Sequence, residues 1–303
     1  MDRMNDDSPT LEQDASLDEP LRRVAYEAGM MLGLEAVRDE QHYHRRRLTR
    51  HQYWLHGFGT LAGMAVRAEP ASHPNPDDHI TVRLIVGPGL GIDGLGREVL
   101  VHEPYCVHLG EWIAAQSQAR LAEGHDAGSG RLWLKVTVRQ RECQVARQPV
   151  LARKLNLGTD AVQPSRIADS VQIELIPELP PADTDDRYRP WGGHPPVSGD
   201  IDDTPPELTA AEHAQIAAVG NEVHAAQLRM HARLLHALDD SGVTPRELAT
   251  RFEDGARLLL ARISLEADDI DDIVVNPQRI SINNLVRPFL TSASQLAWLA
   301  RQP

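Results

Sequence analysis

Cysteine is almost absent from this 303-residue chain: Cys106 and Cys143 are the only two. Two cysteines cannot make a disulfide framework, and they are too few for a thiolate zinc site. A reduced, buried pair is the expectation for them. Aromatic residues are scarce as well, at 4%, so an aromatic-lined groove would have to be built from very few rings. No apolar run reaches the roughly 18–20 residues that cross a bilayer as a helix. The opening MDRMNDDSPTLEQDASLDEP lacks a basic stretch followed by an apolar one. No Sec-type signal peptide is therefore expected, and a cytoplasmic location is. Basic charge is in deficit: 31 Lys and Arg stand against 44 Asp and Glu, a formal net charge of -13. That argues against a general nucleic-acid binder, which carries a basic field. The nucleophile elbow GxSxG, the CxxC pair, the GxxxxGKS/T phosphate loop and HExxH are all missing.

What is present is unevenly distributed. Residues 1–18 hold six acids and one base, and residues 181–205 hold six acids and two bases. Both stretches are rich in Asp, Pro or Ser and poor in apolar residues, the composition of chain without a core of its own. The reading is a disordered acidic tail at 1–18, a helix plus β domain at 19–180, an acidic Pro-rich linker at 181–205 and a helical module at 206–303. Pieces of the helical module could pack back on the β domain, which would make 181–205 a long surface excursion.

The fold class expected is α+β: an N-terminal helix, a mainly antiparallel β domain and C-terminal helices. The first helix runs over 35–55, where Val37, Gln41, His44, Leu48, His51 and Leu55 recur at spacings of three and four and so share one face. Arg45, Arg46, Arg47 and Arg50 then cover much of the remaining surface. Strands are expected at 61–68, 80–86, 90–92, 98–101, 132–138 and 171–176, the longer ones alternating in polarity. Asp93-Gly94 and Gly96 suit a hairpin turn. A helix is expected over 109–122. Thr209 with Glu212 makes a capping box for a long helix, which Asp239–Gly242 ends. Thr244-Pro245 restarts a second helix, with Leu248, Phe252, Leu258, Leu259 and Ile263 on its buried side. One strand follows, at 273–275 or 280–282, and a last helix covers 292–301.

Histidine is the one unusual count, at 14. His42, His44, His51 and His56 lie close together in sequence. Two ligands on one helix need spacings of three or four, and His44 and His51 are two turns apart, roughly 10 Å. Packing or hydrogen bonding is the simpler role. Folding could still bring His102 or His108 to His44 or His51, which makes these four the metal candidates. His213, His224, His231 and His236 lack a carboxylate that would complete a chelating pair. The glycines of 87–96 precede a strand rather than a helix, which is the wrong setting for a dinucleotide loop. Asp268, Asp269, Asp271 and Asp272 lack the EF-hand pattern and read as a solvated turn. No cofactor is implied.

Four segments in series resemble a known family. They are GMMLGLEAVRDEQHYHRRRLTRHQYWLHGFGTLAGMAV (29–66), VGPGLGIDGLGREVLV (86–101), WLKVTVRQRECQVARQPV (133–150) and QPSRIADSVQIELIPELPP (163–181). Together they are similar to uncharacterised proteins encoded with phage-tail-like contractile injection systems. Two departures stand out. Gln52-Tyr53 replaces the family's Asn-Arg before Leu-His-Gly. Gln163 stands where the family carries a cysteine, which argues against a required Cys pair or Cys metal site. Residues 206–303 carry no such resemblance. The resemblance implies a structural or accessory role at a baseplate or fibre attachment, with protein subunits of a large particle as partners, and it brings no catalytic residues with it.

Three functions therefore compete. The first is a non-enzymatic assembly component of a contractile injection particle, able to form a homo-oligomer, with Arg45, Arg46, Arg47 and Arg50 as partner-interface candidates. The second is a metal-binding protein or metal-dependent hydrolase using His44, His51, His102 or His108. The third is a carbohydrate- or surface-binding module presenting Trp54, Trp112, Trp133 or Trp191.

Overall fold

The computed structural model describes residues 21, 23–70, 82–149, 162–180, 207–236, 255–271 and 273–301. The elements run in chain order from helix α1 (Leu34–His56) to strands β1 (Gly59–Gly63), β2 (Val66–Pro70), β3 (Val82–Val86), β4 (Gly89–Ile92), β5 (Glu98–Val101) and β6 (Tyr105–His108). Two short helices follow, α2 (Leu109–Ala114) and α3 (Gln118–Ala122), then β7 (His125–Asp126), β8 (Arg131–Pro149) and β9 (Val162–Pro177). The C-terminal third holds α4 (Ala210–Ala217), α5 (Glu222–His236), β10 (Leu258–Ala267), β11 (Ile273–Val274), β12 (Ser281–Asn283) and α6 (Ala293–Leu299). The class is α+β with mainly antiparallel sheets, as the sequence implied.

The alternation Leu132, Leu134, Val136, Val138 makes the inner half of β8 the axis of the largest sheet. All four side chains are buried. On one side β8 pairs antiparallel with β10, Ile263 opposite Leu134 and Leu258 opposite Val138. On the other it pairs with β9 from Leu134 to Pro149 and with β7 at its start. β11 and β12 flank the outer edge of β10. The three-stranded sheets β1-β4-β5 and β2-β3-β6 complete the fold, and Val82, Leu84, Val99 and Val101 join Leu134, Leu260 and Ile263 in one core.

β10 overturns part of the sequence reading. Leu258, Leu259 and Ile263 lie on a central strand, not on a helix. The run LLLARISLEA is buried at nearly every position. A strand covered on both faces loses its alternation, so its periodicity cannot be told from that of a buried helix. Of the helical module, 210–236 and 293–299 are helical as described, but 258–283 contributes three strands and β10 belongs to the main sheet. Both 273–274 and 281–283 are strands, where one was expected. Thr244-Pro245, Leu248, Phe252, Asp272 and the acidic stretches 1–18 and 181–205 lie outside the described residues.

Three smaller corrections have local causes. The 61–68 strand is split at Met64, which takes a φ of 54° and turns β1 into β2. The 109–122 helix breaks where Ser117 caps α3 by accepting from the Arg120 N–H. The long helix from Thr209 breaks after Ala217, and the Asn221 side chain accepts the His224 N–H to start α5. Cys106 and Cys143 are both exposed, against the expectation of burial. Among the described residues, no helix is long and apolar enough to cross a membrane.

Two carboxylates on β9 and just beyond it neutralise the cations of the main sheet. Glu178 lies 2.9 Å from buried Arg262 and 3.5 Å from buried Lys135, which face each other across β10 and β8. Glu174 does the same for Arg257 at 2.7 Å and Arg139 at 3.2 Å. A buried cation stripped of its carboxylate is costly. Glu178→Gln is therefore expected to lower stability by roughly 1–3 kcal/mol in urea unfolding, with Lys135→Met partly restoring it.

The α4–α5 pair carries a pH dependence of its own. Thr209 donates from its backbone N–H and its hydroxyl to Glu212, and His236 contacts the same carboxylate at 3.0 Å. These bonds, led by the Thr209 backbone N–H, hold the Glu212 carboxyl below its ordinary range. Their contribution is complete above the ordinary glutamate pKa and is lost as pH falls through the lowered value. Amide protection of 210–236, corrected for intrinsic exchange, should fall across that acidic window in the wild type and stay flat in Glu212→Gln.

Candidate functional site

The residues that shape the candidate site meet at the Asp93–Arg97 turn between β4 and β5. Asp93 is fully buried. Its Oδ1 accepts the backbone N–H groups of Leu95 and Arg97, both at 2.9 Å. Its Oδ2 accepts Nε of Arg97 at 2.8 Å and lies 2.7 Å from Nη2. Burial pushes the Asp93 carboxyl above its ordinary range, and the guanidinium and the backbone donors offset only part of that rise. Such a fork of donors fixes geometry as well as charge. The Gly94 N–H donates to the Gly255 carbonyl at 2.8 Å, which ties the turn to the residues leading into β10.

Gly96 presses this turn against α1. Its φ is +79°, and a Cβ there would stand 2.2 Å from the Thr49 carbonyl oxygen and 3.0 Å from the Tyr53 Cβ. Only glycine satisfies both the conformation and the approach. Thr49 and Tyr53 are the buried residues of α1.

Between α1, β5 and the outer part of the β8–β9 hairpin lies a cleft of about 380 Å³. Arg45 and Gln52 line it from α1, Glu98 and His102 from β5 and the turn after it, and Glu142 and Asp169 from the hairpin. Its polar groups hold one another. Arg45 pairs with Glu142 at 3.7 Å, and Gln140 donates to Asp169 at 3.2 Å. Beyond the cleft the hairpin continues as a two-stranded ribbon, with Gln144 opposite Ile167 and Val145 opposite Arg166. Sequence alternation located only the inner part of each strand, because the polar outer half has no apolar face to alternate.

The spacing of α1 defined a face but not what covers it. Val37, Leu48 and Leu55 do share a face, but that face is exposed at 49%, 56% and 68%. Arg45, Arg46 and Arg50 are half-buried on the side nearer the body, and of the four interface candidates only Arg47 is exposed, donating to the Tyr43 hydroxyl at 2.8 Å. The basic run is thus divided between two faces of the helix.

The metal candidates are not gathered. His44 is exposed and bonded to Glu40 at 3.0 Å. His51 stacks edge-on with His56. His102 sits beside Glu103 and Tyr105. His108 ends β6, exposed, opposite Arg83. Among the described residues no group of three or more His, Cys, Asp or Glu side chains could hold a metal ion. Trp54, Trp112 and Trp133 are each half-buried, and Trp191 lies outside the described residues.

No protein-family model matches the chain, and no curated protein matches it. The turn gives a direct test of how α1 is seated. Gly96→Ala should cost at least about 1–3 kcal/mol and expose α1 to proteolysis. Gly110→Ala, where a Cβ meets nothing within 4 Å, should leave both readouts near wild type.

Proposed function

We propose that this protein is a non-enzymatic structural or assembly component of a phage-tail-like contractile injection particle. The particle assignment rests on the four serial segments between 29 and 181, which resemble proteins encoded with such systems. The observation that carries the assembly role is the orientation of α1. The helix holds to its own body through Thr49 and Tyr53 and turns Leu34, Val37, Leu48 and Leu55 to solvent. Just before it, Tyr26, Met30, Met31 and Leu32 are exposed as well. An apolar surface of this kind is costly on a monomer and serves contact with another protein. The mutual pairing of the polar groups in the cleft favours a structural use of those charges over a catalytic one.

The test is affinity purification of tagged protein from its native host, with size separation and mass spectrometry of what accompanies it. Recovery in a megadalton fraction with sheath, tube or baseplate proteins is the expected result. Recovery only as a small free species would overturn the assignment.

A further inference from the structure

We draw no further inference here: the strongest candidate, the exposed apolar face of α1 formed by Leu34, Val37, Leu48 and Leu55, carries none, because nothing in the structure shows what covers it.

Discussion

Everything around the cleft hangs on one buried ion pair, Asp93 with Arg97. The pair closes a five-residue turn from within, four contacts on one carboxylate. The turn in turn determines where three other parts of the chain can lie. Its Gly96 receives the Thr49 carbonyl and the Tyr53 side chain of α1. Its Gly94 bonds Gly255 at the approach to β10. Its two ends are the strands β4 and β5. A buried pair of this kind adds little net stability compared with apolar packing, but it is intolerant of losing one partner. Its value here is positional: it converts a glycine-rich loop into a rigid seat for a helix.

A second clamp secures the opposite flank of the small sheets. Arg287, 5% exposed, donates to the Met64 carbonyl at 2.9 Å and to the carbonyl and side-chain oxygens of Asn284. Asn284 in turn pairs with both backbone polar groups of Val66, at 2.9 and 3.0 Å. The left-handed corner at Met64 is thus held from outside its own strand by the C-terminal segment. Burial lowers the Arg287 pKa to about 10. A guanidinium still carries its charge there at neutral pH, and neutral oxygens solvate it in place of water. β10 and this clamp make residues 258–271 and 273–290 part of the same body as residues 59–70 and 82–138.

The sequence revealed most where one physical signal had one reading. Alternation in 132–138 located the axis of the main sheet, Asp93-Gly94 with Gly96 located the turn, and Thr209 with Glu212 located the start of α4. It misled where the same signal serves two structures. LLLARISLEA is apolar enough for a buried helix and is a strand because β8 lies beside it. The paired residues stand 120 to 135 positions apart in sequence, beyond the reach of any local pattern. The fork of Arg97 onto Asp93 was equally invisible: a hairpin turn is legible from Asp-Gly, but burial of its aspartate depends on α1 arriving overhead.

The exposure of the α1 stripe has a more general cause. A repeat of three and four says that a face exists, not what covers it. In most surface helices the apolar stripe meets the protein's own core. Here the body offers a backbone turn and a tyrosine-sized contact instead, and Gly96 allows the helix to approach on its polar side. Arg45, Arg46 and Arg50 can lie toward the body because their long stems cover apolar surface while their heads reach polar groups such as Glu142. That arrangement leaves the leucines facing out and the arginines divided. It also explains why Gln41, His44 and His51 can occupy the stripe. A stripe buried in a core would have to satisfy them permanently, whereas an exposed one leaves them to water and, for His44, to Glu40.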